Sequence, residues 1–171
     1  WYVDPKATHK GFVVKDKVLF KNDPEDRRQA VYSIGCKVFS NETEMLQDFV
    51  KTMRNKDPDV IAGWWLLQAD ISTLFKRMTA NGLDLNLLSP NQRISRNRLG
   101  AYDQPISGRI CIDLMQVFCR LWQTKNGQLP GQSLDDVSKH CLGEKKIVLP
   151  DGHDTYYSDL GLYVDYNRRD V

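Results

Sequence analysis

The sequence predicts an α/β domain in which strands alternate with helices. Short runs rich in β-branched residues alternate with longer stretches whose apolar residues repeat at helical spacing, and turn-forming residues separate the two. The 171 residues, of which 41% are hydrophobic and 27% charged, suit one domain with a sizeable core. We therefore expect a single layered domain over residues 1–171, with helices on a mixed β-sheet.

The N-terminal part of the chain predicts strands followed by a helix. Residues 1–4 fit a short strand, residues 11–20 alternate as in a hairpin, and residues 30–39 form a β-branched and aromatic run. A helix should follow, because Asn41 can cap it and Glu44 stands three residues later, before an apolar helical repeat.

The middle of the chain predicts a strand, a turn and a helix. Val60–Gly63 is a short continuous apolar run of the kind that fills a buried strand. The helical pattern begins at Asp70 and ends before Gly82. Residues 83–107 are polar and indicate a loop. Asp70 is thus expected where a buried strand gives way to a helix.

The C-terminal part predicts one more strand and three helices. Residues 109–113 fit a strand edge, and Ser133 can cap a short helix reciprocally with Asp136 before Gly143 ends it. Residues 158–170 fit a last helix. The helix after the strand has its apolar residues at Met115, Phe118, Leu121 and Trp122, and the last helix turns Leu160, Tyr163 and Val164 toward the core.

Composition excludes some classes of protein and leaves others open. No apolar run reaches the roughly 18 residues that cross a bilayer, and the first residues lack the basic-then-apolar pattern of a signal peptide, so we expect a soluble intracellular protein without a membrane partner. The first residue is Trp1 and the last is Val171, directly after a helical pattern, which suggests a segment of a longer protein. The widely spaced cysteines favour buried thiols over disulfides or zinc; they are Cys36, Cys111, Cys119 and Cys141.

Charge is unevenly distributed although the net charge is only +2. Two local groups of arginines could hold phosphates, or could be ordinary solvated side chains. One group is Arg93, Arg96, Arg98 and Arg109, and the other is Arg168 and Arg169 beside Asp170.

Two carboxylates and a tyrosine form the candidate chemistry. Tyr166 and Asp170 are four residues apart and share a helix face, and Asp70 at a strand end could meet them across a cleft. Facing carboxylates suit Mg²⁺ or Mn²⁺, and two such ions can drive phosphodiester hydrolysis. The alternative is structural: Asp70 as a helix cap, and Tyr166 with Asp170 on a helix surface.

The ordered motifs resemble the exonuclease domain of family B DNA polymerases, of the type with a catalytic tyrosine. Asp57–Gly63 followed by Trp64 through Asp70 is similar to its second exonuclease motif, and Tyr166 through Asp170 to its third. Two segments between them also match: Ser107-Gly108-Arg109 with Asp113-Leu114, and Ser133 through Val137 with Leu142 through Lys146.

The resemblance implies a ribonuclease-H-like fold that hydrolyses the 3′ end of single-stranded DNA in proofreading, as part of a chain that also holds the polymerase domain. It implies that Asp70 and Asp170 bind two Mg²⁺ or Mn²⁺ ions and that Tyr166 orients the attacking water. For Asp113 we favour a structural role at a strand end over a third ligand.

The sequence departs from the family pattern around the chemistry. Trp65 replaces an Asn and Ala69 replaces a Phe of the second motif, and Lys6 stands where the first motif has a Glu. A lysine among carboxylates disfavours cations. The leading hypothesis is an active exonuclease, and the second is a degenerate domain that serves as a structural or single-strand-binding module. A free-standing nuclease acting in repair or RNA processing is a third.

Overall fold

The computed structural model describes residues 2–3, 9–10, 12–14, 37–95 and 103–169. The strands are β1 (Tyr2–Val3), β2 (His9–Lys10), β3 (Phe12–Val14), β4 (Lys37–Phe39), β5 (Val60–Gly63) and β6 (Ile110–Asp113). The α-helices are α1 (Glu42–Lys56), α2 (Ser72–Ala80), α3 (Leu114–Asn126), α4 (Leu134–Leu142), α5 (Thr155–Ser158) and α6 (Leu160–Arg169). A π-helical turn spans Leu66–Ile71, and 3₁₀ turns span Leu85–Leu88 and Gly152–Asp154. The predicted α/β class is confirmed.

The chain divides into two compact units, one of Trp1–Met45 with Lys145–Val171 and one of Leu46–Glu144. In the first unit β1 pairs with β2 in antiparallel orientation, which confirms a short strand at the N-terminus. β3 pairs with β4 in parallel, so the described part of the predicted hairpin joins a later strand. The rest of that hairpin, and residues 30–36 of the next predicted strand, lie outside the described residues.

The first turn of α1 is capped as its sequence predicts. The backbone N–H of Glu44 donates to Asn41 Oδ1 over 2.9 Å. Glu44 Oε2 in turn accepts from the backbone N–H of Ser40 over 3.2 Å. The pair satisfies two backbone donors around the helix start, which fixes where α1 begins.

The predicted helix over residues 158–170 is interrupted at its start. Asp159 leaves the helical conformation, with φ of −145° and ψ of 86°, and separates α5 from α6. Its Oδ1 accepts from the backbone N–H of Leu162 over 3.0 Å, so Asp159 caps α6. Val164 is buried, as predicted. The predicted start of the last helix at Ser158 was wrong. The Asp159 side chain caps α6, and this local hydrogen bond replaces a continuous helix through Asp159.

In the second unit β5 and β6 form a parallel pair in which Gly63 lies opposite Asp113. The predicted β5 is confirmed in extent but not in burial, since Val60 is 47% exposed. Among the described residues β6 is the one strand that pairs with β5, so part of β5 faces solvent. An apolar run predicts a strand; its neighbours decide how deeply it is buried.

The helix that contains Asp70 starts earlier than predicted. Trp65 adopts a left-handed conformation with φ of 60°, and the π-helical turn begins directly after it. Asp70 is the fifth residue of that turn, so it is not an N-cap. The turn runs on into α2, which ends at Ala80, and Gly82 follows with φ of 68°. The prediction missed the first turn because π-helical spacing breaks the 3.6-residue apolar repeat.

Arg109 is buried and stabilises the turn that precedes β5. Its Nε donates to the carbonyl of Leu88 over 2.9 Å, a guanidinium N–H donates to the carbonyl of Pro58, and it forms a 3.0 Å ion pair with Asp57. The phosphate-binding alternative is therefore wrong for Arg109, whose donors are used inside the fold.

An aromatic cluster packs on α3, and a capped turn begins α4. Phe118 lies between Trp64 and Trp122, with ring centroids 6.0 and 5.7 Å away. The backbone N–H of Asp136 donates to Ser133 Oγ over 3.1 Å, and the Ser133 hydroxyl donates to Asp136 Oδ2 over 2.6 Å, as predicted. Gly143 ends α4, and the cysteines described are free thiols, namely Cys111, Cys119 and Cys141.

The core of the second unit is apolar. Its most deeply buried side chains come from the π-helical turn, α2, the first 3₁₀ turn and the segment before β6; they are Leu67, Met78, Leu88 and Ile106. Residues 83–95 and 103–107 are irregular apart from that 3₁₀ turn and one bridge between Ile94 and Ile106, so the predicted loop is confirmed where it is described. No helix in the described ranges is long and apolar enough to span a bilayer.

Candidate carboxylate site

Asp70 faces the sheet at the end of β5. A methyl group built on Gly63 would lie 3.6 Å from Asp70 Oδ2. The missing side chain of Gly63 thus leaves room for Leu66 Cδ1, at 3.1 Å from that methyl position, and for the Asp70 carboxylate beside it. The short path from strand to π-helical turn explains this, since Gly63 and Asp70 are separated by two turn residues and four residues of the turn. The carboxylate is placed at the carboxyl end of a parallel strand pair, where α/β folds form their sites.

Asp113 is the other carboxylate at this end of the sheet. It is 3% exposed, and neither Oδ1 nor Oδ2 has a hydrogen-bond partner in the part of the chain that the structure describes. It stands at the start of α3, yet its side chain does not cap that helix. A buried carboxylate with both oxygens unpaired is rare in native proteins, because desolvating a charge without a partner is unfavourable.

The two carboxylates influence each other electrostatically. Desolvation raises the pKa of Asp70, and the negative charge of Asp113 raises it further. A carboxylate in this position favours a proton or a cation over an isolated charge. The carboxylates of Asp70 and Asp113 thus form a region of negative charge beside Gly63.

Tyr166 belongs to the other unit. Its ring is half-buried, stacks on Tyr163 at a centroid distance of 6.3 Å, and lies below the ammonium of Lys146 at 5.7 Å. These contacts restrict the orientation of the ring. Asp170 lies outside the described residues, so the predicted Tyr166–Asp170 pair stays a prediction, as does its relation to Asp70.

The two tryptophans before the π-helical turn differ. Trp64 donates from Nε1 to the carbonyl of Gln132 over 3.0 Å and packs on Phe118, so it is structural. Trp65 is 49% exposed, and its Nε1 donates to Gln68 Oε1 over 2.7 Å. An exposed indole held in one orientation can stack on an unpaired base.

Of the other arginines in the first group that could hold phosphates, one lies within the described residues. Arg93 is exposed, whereas Arg96 and Arg98 lie outside the described residues. Within the described ranges no group of three or more His, Cys, Asp or Glu side chains could hold a metal ion. The residues present nevertheless fit a cation in one respect, since the orphaned oxygens of Asp113 lie beside a second carboxylate.

Sequence reasoning did not assign Asp113 to the candidate site. Two features of the sequence favour placing Asp113 in the site. Gly63 and Asp113 each end a predicted strand, and the carboxyl ends of parallel strands lie at the same edge of a sheet. The strand register that brings them opposite each other required the structure.

The described part of the chain has an α/β fold with two carboxylates at the ends of a parallel strand pair. Residues 4–137 match the family described as DNA polymerase family B, exonuclease domain. The chain belongs to that family, and its predicted resemblance is confirmed.

Relatives of known description agree. DNA polymerase 1 of Pyrococcus abyssi is 36% identical over 110 residues, which is 64% of this chain and 14% of that protein. The DNA polymerase of Thermococcus aggregans is 37% identical over 117 residues, covering 66% of this chain and 6% of the relative. The DNA polymerase delta catalytic subunit of Glycine max is 30% identical over 137 residues, 71% of this chain and 12% of the relative. The chain therefore spans only a small part of these relatives' length.

Proposed function

We propose that the chain is a metal-dependent 3′→5′ exonuclease that removes nucleotides from the 3′ end of single-stranded DNA in proofreading. The observation that carries the proposal is the Asp70 carboxylate, which faces Gly63 beside Asp113 at the end of the β5–β6 pair. Family membership supports it, because this is the exonuclease domain of family B polymerases. The polymerase domain of the same longer chain is the proposed partner.

In this proposal Asp70 and Asp170 hold Mg²⁺ or Mn²⁺, which when bound would lower the pKa of water and stabilise the leaving oxygen. Tyr166 orients the attacking water through its hydroxyl, and its ring is held by Tyr163 and Lys146. The partial desolvation of Asp70 strengthens its interaction with a cation.

The test is digestion of 5′-labelled single-stranded DNA by the chain with Mg²⁺ or Mn²⁺, beside an Asp170→Ala variant. Asp165→Ala is the matched control, since Asp165 is an exposed aspartate of α6, five residues before Asp170 in the sequence, and the substitution removes the same charge. The wild type and the control should give a ladder of shortened products, and Asp170→Ala none. If all three behave alike and no ladder appears, the catalytic proposal is wrong.

The role of Tyr166 is tested by Tyr166→Phe, which keeps the ring on Tyr163 and removes only the hydroxyl. We expect cleavage to slow by about 10²-fold or more, as for loss of a positioned catalytic group, with DNA affinity unchanged. Equal rates for the variant and the wild type would exclude a role in orienting water.

The second candidate is a degenerate exonuclease domain that binds single strands or acts structurally within the polymerase. It is favoured by the exposed, oriented indole of Trp65, where the family has an Asn, and by Lys6 in place of the first-motif Glu. In that case Trp65→Ala should weaken binding to single-stranded DNA by about 1–3 kcal/mol. The wild type, Asp170→Ala and Tyr166→Phe should all fail to cleave the DNA.

A further inference from the structure

Asp113 has an environment that its position at a strand end does not explain. It is 3% exposed, and both carboxylate oxygens are without a hydrogen-bond partner within the described residues. A purely structural aspartate at a helix start would accept from backbone N–H groups of α3, but this side chain does not cap that helix. The carboxylate therefore lacks the partner that its burial demands.

The strand register shows where that carboxylate points. Residues opposite each other in a parallel strand pair project to the same face of the sheet, so Asp113 projects to the face that a side chain on Gly63 would occupy. Asp70 Oδ2 lies 3.6 Å from that position on Gly63. The two carboxylates therefore lie on one face of the β5–β6 pair, where Leu66 Cδ1 is also 3.1 Å from the position of a side chain on Gly63.

Two converging carboxylates repel unless a positive charge lies between them. Arg109, the buried cation nearest in sequence to Asp113, is committed to Asp57 and two carbonyls. Among the described residues no other acidic, histidine or cysteine side chain completes a three-residue cluster with the pair.

We infer that Asp113 is a carboxylate ligand, together with Asp70, for one divalent cation at the end of the β5–β6 pair. The inference rests on the function proposed above and deepens it. Oxygen ligands from a few carboxylates suit Mg²⁺ and Mn²⁺. Asp113 thus supplies a second carboxylate on the face of the β5–β6 pair that Asp70 occupies.

The experiment measures Mn²⁺ binding to the full 171-residue chain directly, by electron paramagnetic resonance of free Mn²⁺, for the wild type and Asp113→Asn. Asp59→Asn is the matched control, because Asp59 is an exposed aspartate just before β5 and the substitution removes the same charge. Asp113→Asn should bind Mn²⁺ at least about tenfold more weakly, as should Asp70→Asn, and Asp59→Asn should stay within about twofold of the wild type. Equal affinity of Asp113→Asn and the wild type would overturn the inference.

Thermal unfolding gives an independent readout. Mn²⁺ should raise the melting temperature of the wild type over that in EDTA, because ligands that bind the folded state stabilise it, and should raise that of Asp113→Asn much less. Without metal, Asp113→Asn should melt no lower than the wild type, since an amide is easier to bury than an unpaired charge. A lower melting temperature of Asp113→Asn in EDTA would instead indicate a structural role and count against the inference. Asp113→Ser repeats the test with a smaller neutral side chain if the asparagine variant does not fold.

The same proteins, assayed on labelled single-stranded DNA, separate the two proposals. If Asp113→Asn keeps full Mn²⁺ affinity while Asp170→Ala abolishes cleavage, Asp113 is not a ligand and the exonuclease proposal stands. If Asp113→Asn loses Mn²⁺ and the wild type does not cleave DNA, the cation site stands and the exonuclease proposal fails.

Discussion

Replacing Arg109 by Met should strongly destabilise the second unit, because that side chain binds the turn before β5 and the first 3₁₀ turn together. Arg109 is 5% exposed as a residue, and its guanidinium donates to the carbonyls of Leu88 and Pro58. Methionine fills a similar volume without any donor. The substitution therefore isolates the hydrogen bonds from the packing of the side chain.

The size of the effect follows from the groups left without a partner. A buried acceptor that loses its donor costs about 1–3 kcal/mol, and Leu88 is fully buried while Pro58 is only partly so. The ion pair to Asp57 adds little, about 0–1 kcal/mol, since the Asp57 side chain is 66% exposed. We expect a loss of about 2–4 kcal/mol, out of the roughly 5–15 kcal/mol typical of a folded domain.

Equilibrium unfolding in urea, followed by tryptophan fluorescence, measures this loss through the change in midpoint at constant slope. Asp57→Asn is the control, because it removes the charge of the exposed partner and asparagine tolerates the positive φ of 43° at that position. It should change the free energy of unfolding by less than about 1 kcal/mol. Should Arg109→Met lose no more than this control, the hydrogen bonds of Arg109 are not what stabilises the turn.

Three further outcomes are expected. Burial raises the pKa of the Cys111 thiol, so at pH 8 iodoacetamide should modify Cys111 far more slowly in the folded chain than in urea, with rates rising as pH increases; equal rates would contradict its burial. Ser133→Ala removes the cap that Ser133 shares with Asp136 and should cost about 1 kcal/mol in urea unfolding, whereas an unchanged midpoint would show that α4 does not depend on it. Gly108→Ala should cost at least about 1 kcal/mol, because Gly108 has φ of 82° and the added methyl would lie 2.6 Å from Pro90 Cγ; a stability gain would refute this.

The sequence was sufficient for features that depend on local chemistry. The Val60–Gly63 strand, the cap at Ser133 and the turn around Gly143 follow from apolar runs, hydroxyl caps and glycine conformations within a few residues. The cap at Asn41 was predicted from the same kind of signal and is present. Such interactions have their partners in the adjacent turn, so no knowledge of the tertiary fold is needed.

Features that depend on distant neighbours were not predictable in the same way. The exposure of Val60 depends on which strands flank β5, and the burial of Arg109 depends on carbonyls 21 and 51 residues away in the chain. The π-helical turn that contains Asp70 lacks a hydrophobic period that the sequence could show. The juxtaposition of Asp70 and Asp113 needs the register of two strands about fifty residues apart, and the predicted contribution of Asp170 stays a prediction.

The π-helical turn over Leu66–Ile71 gives this domain a particular sensitivity to insertion and deletion. A π-helical turn is equivalent to one extra residue in an α-helix, and each residue rotates an α-helix by about 100°. Deleting one residue between Trp65 and Asp70 would let the segment relax to α-helical winding, with Met78 still docked in the core. Because Asp70 lies within the rewound segment, the angle at which its carboxylate faces Gly63 would then change. Substitutions in this segment alter single contacts, whereas a change of length would redirect the carboxylate itself.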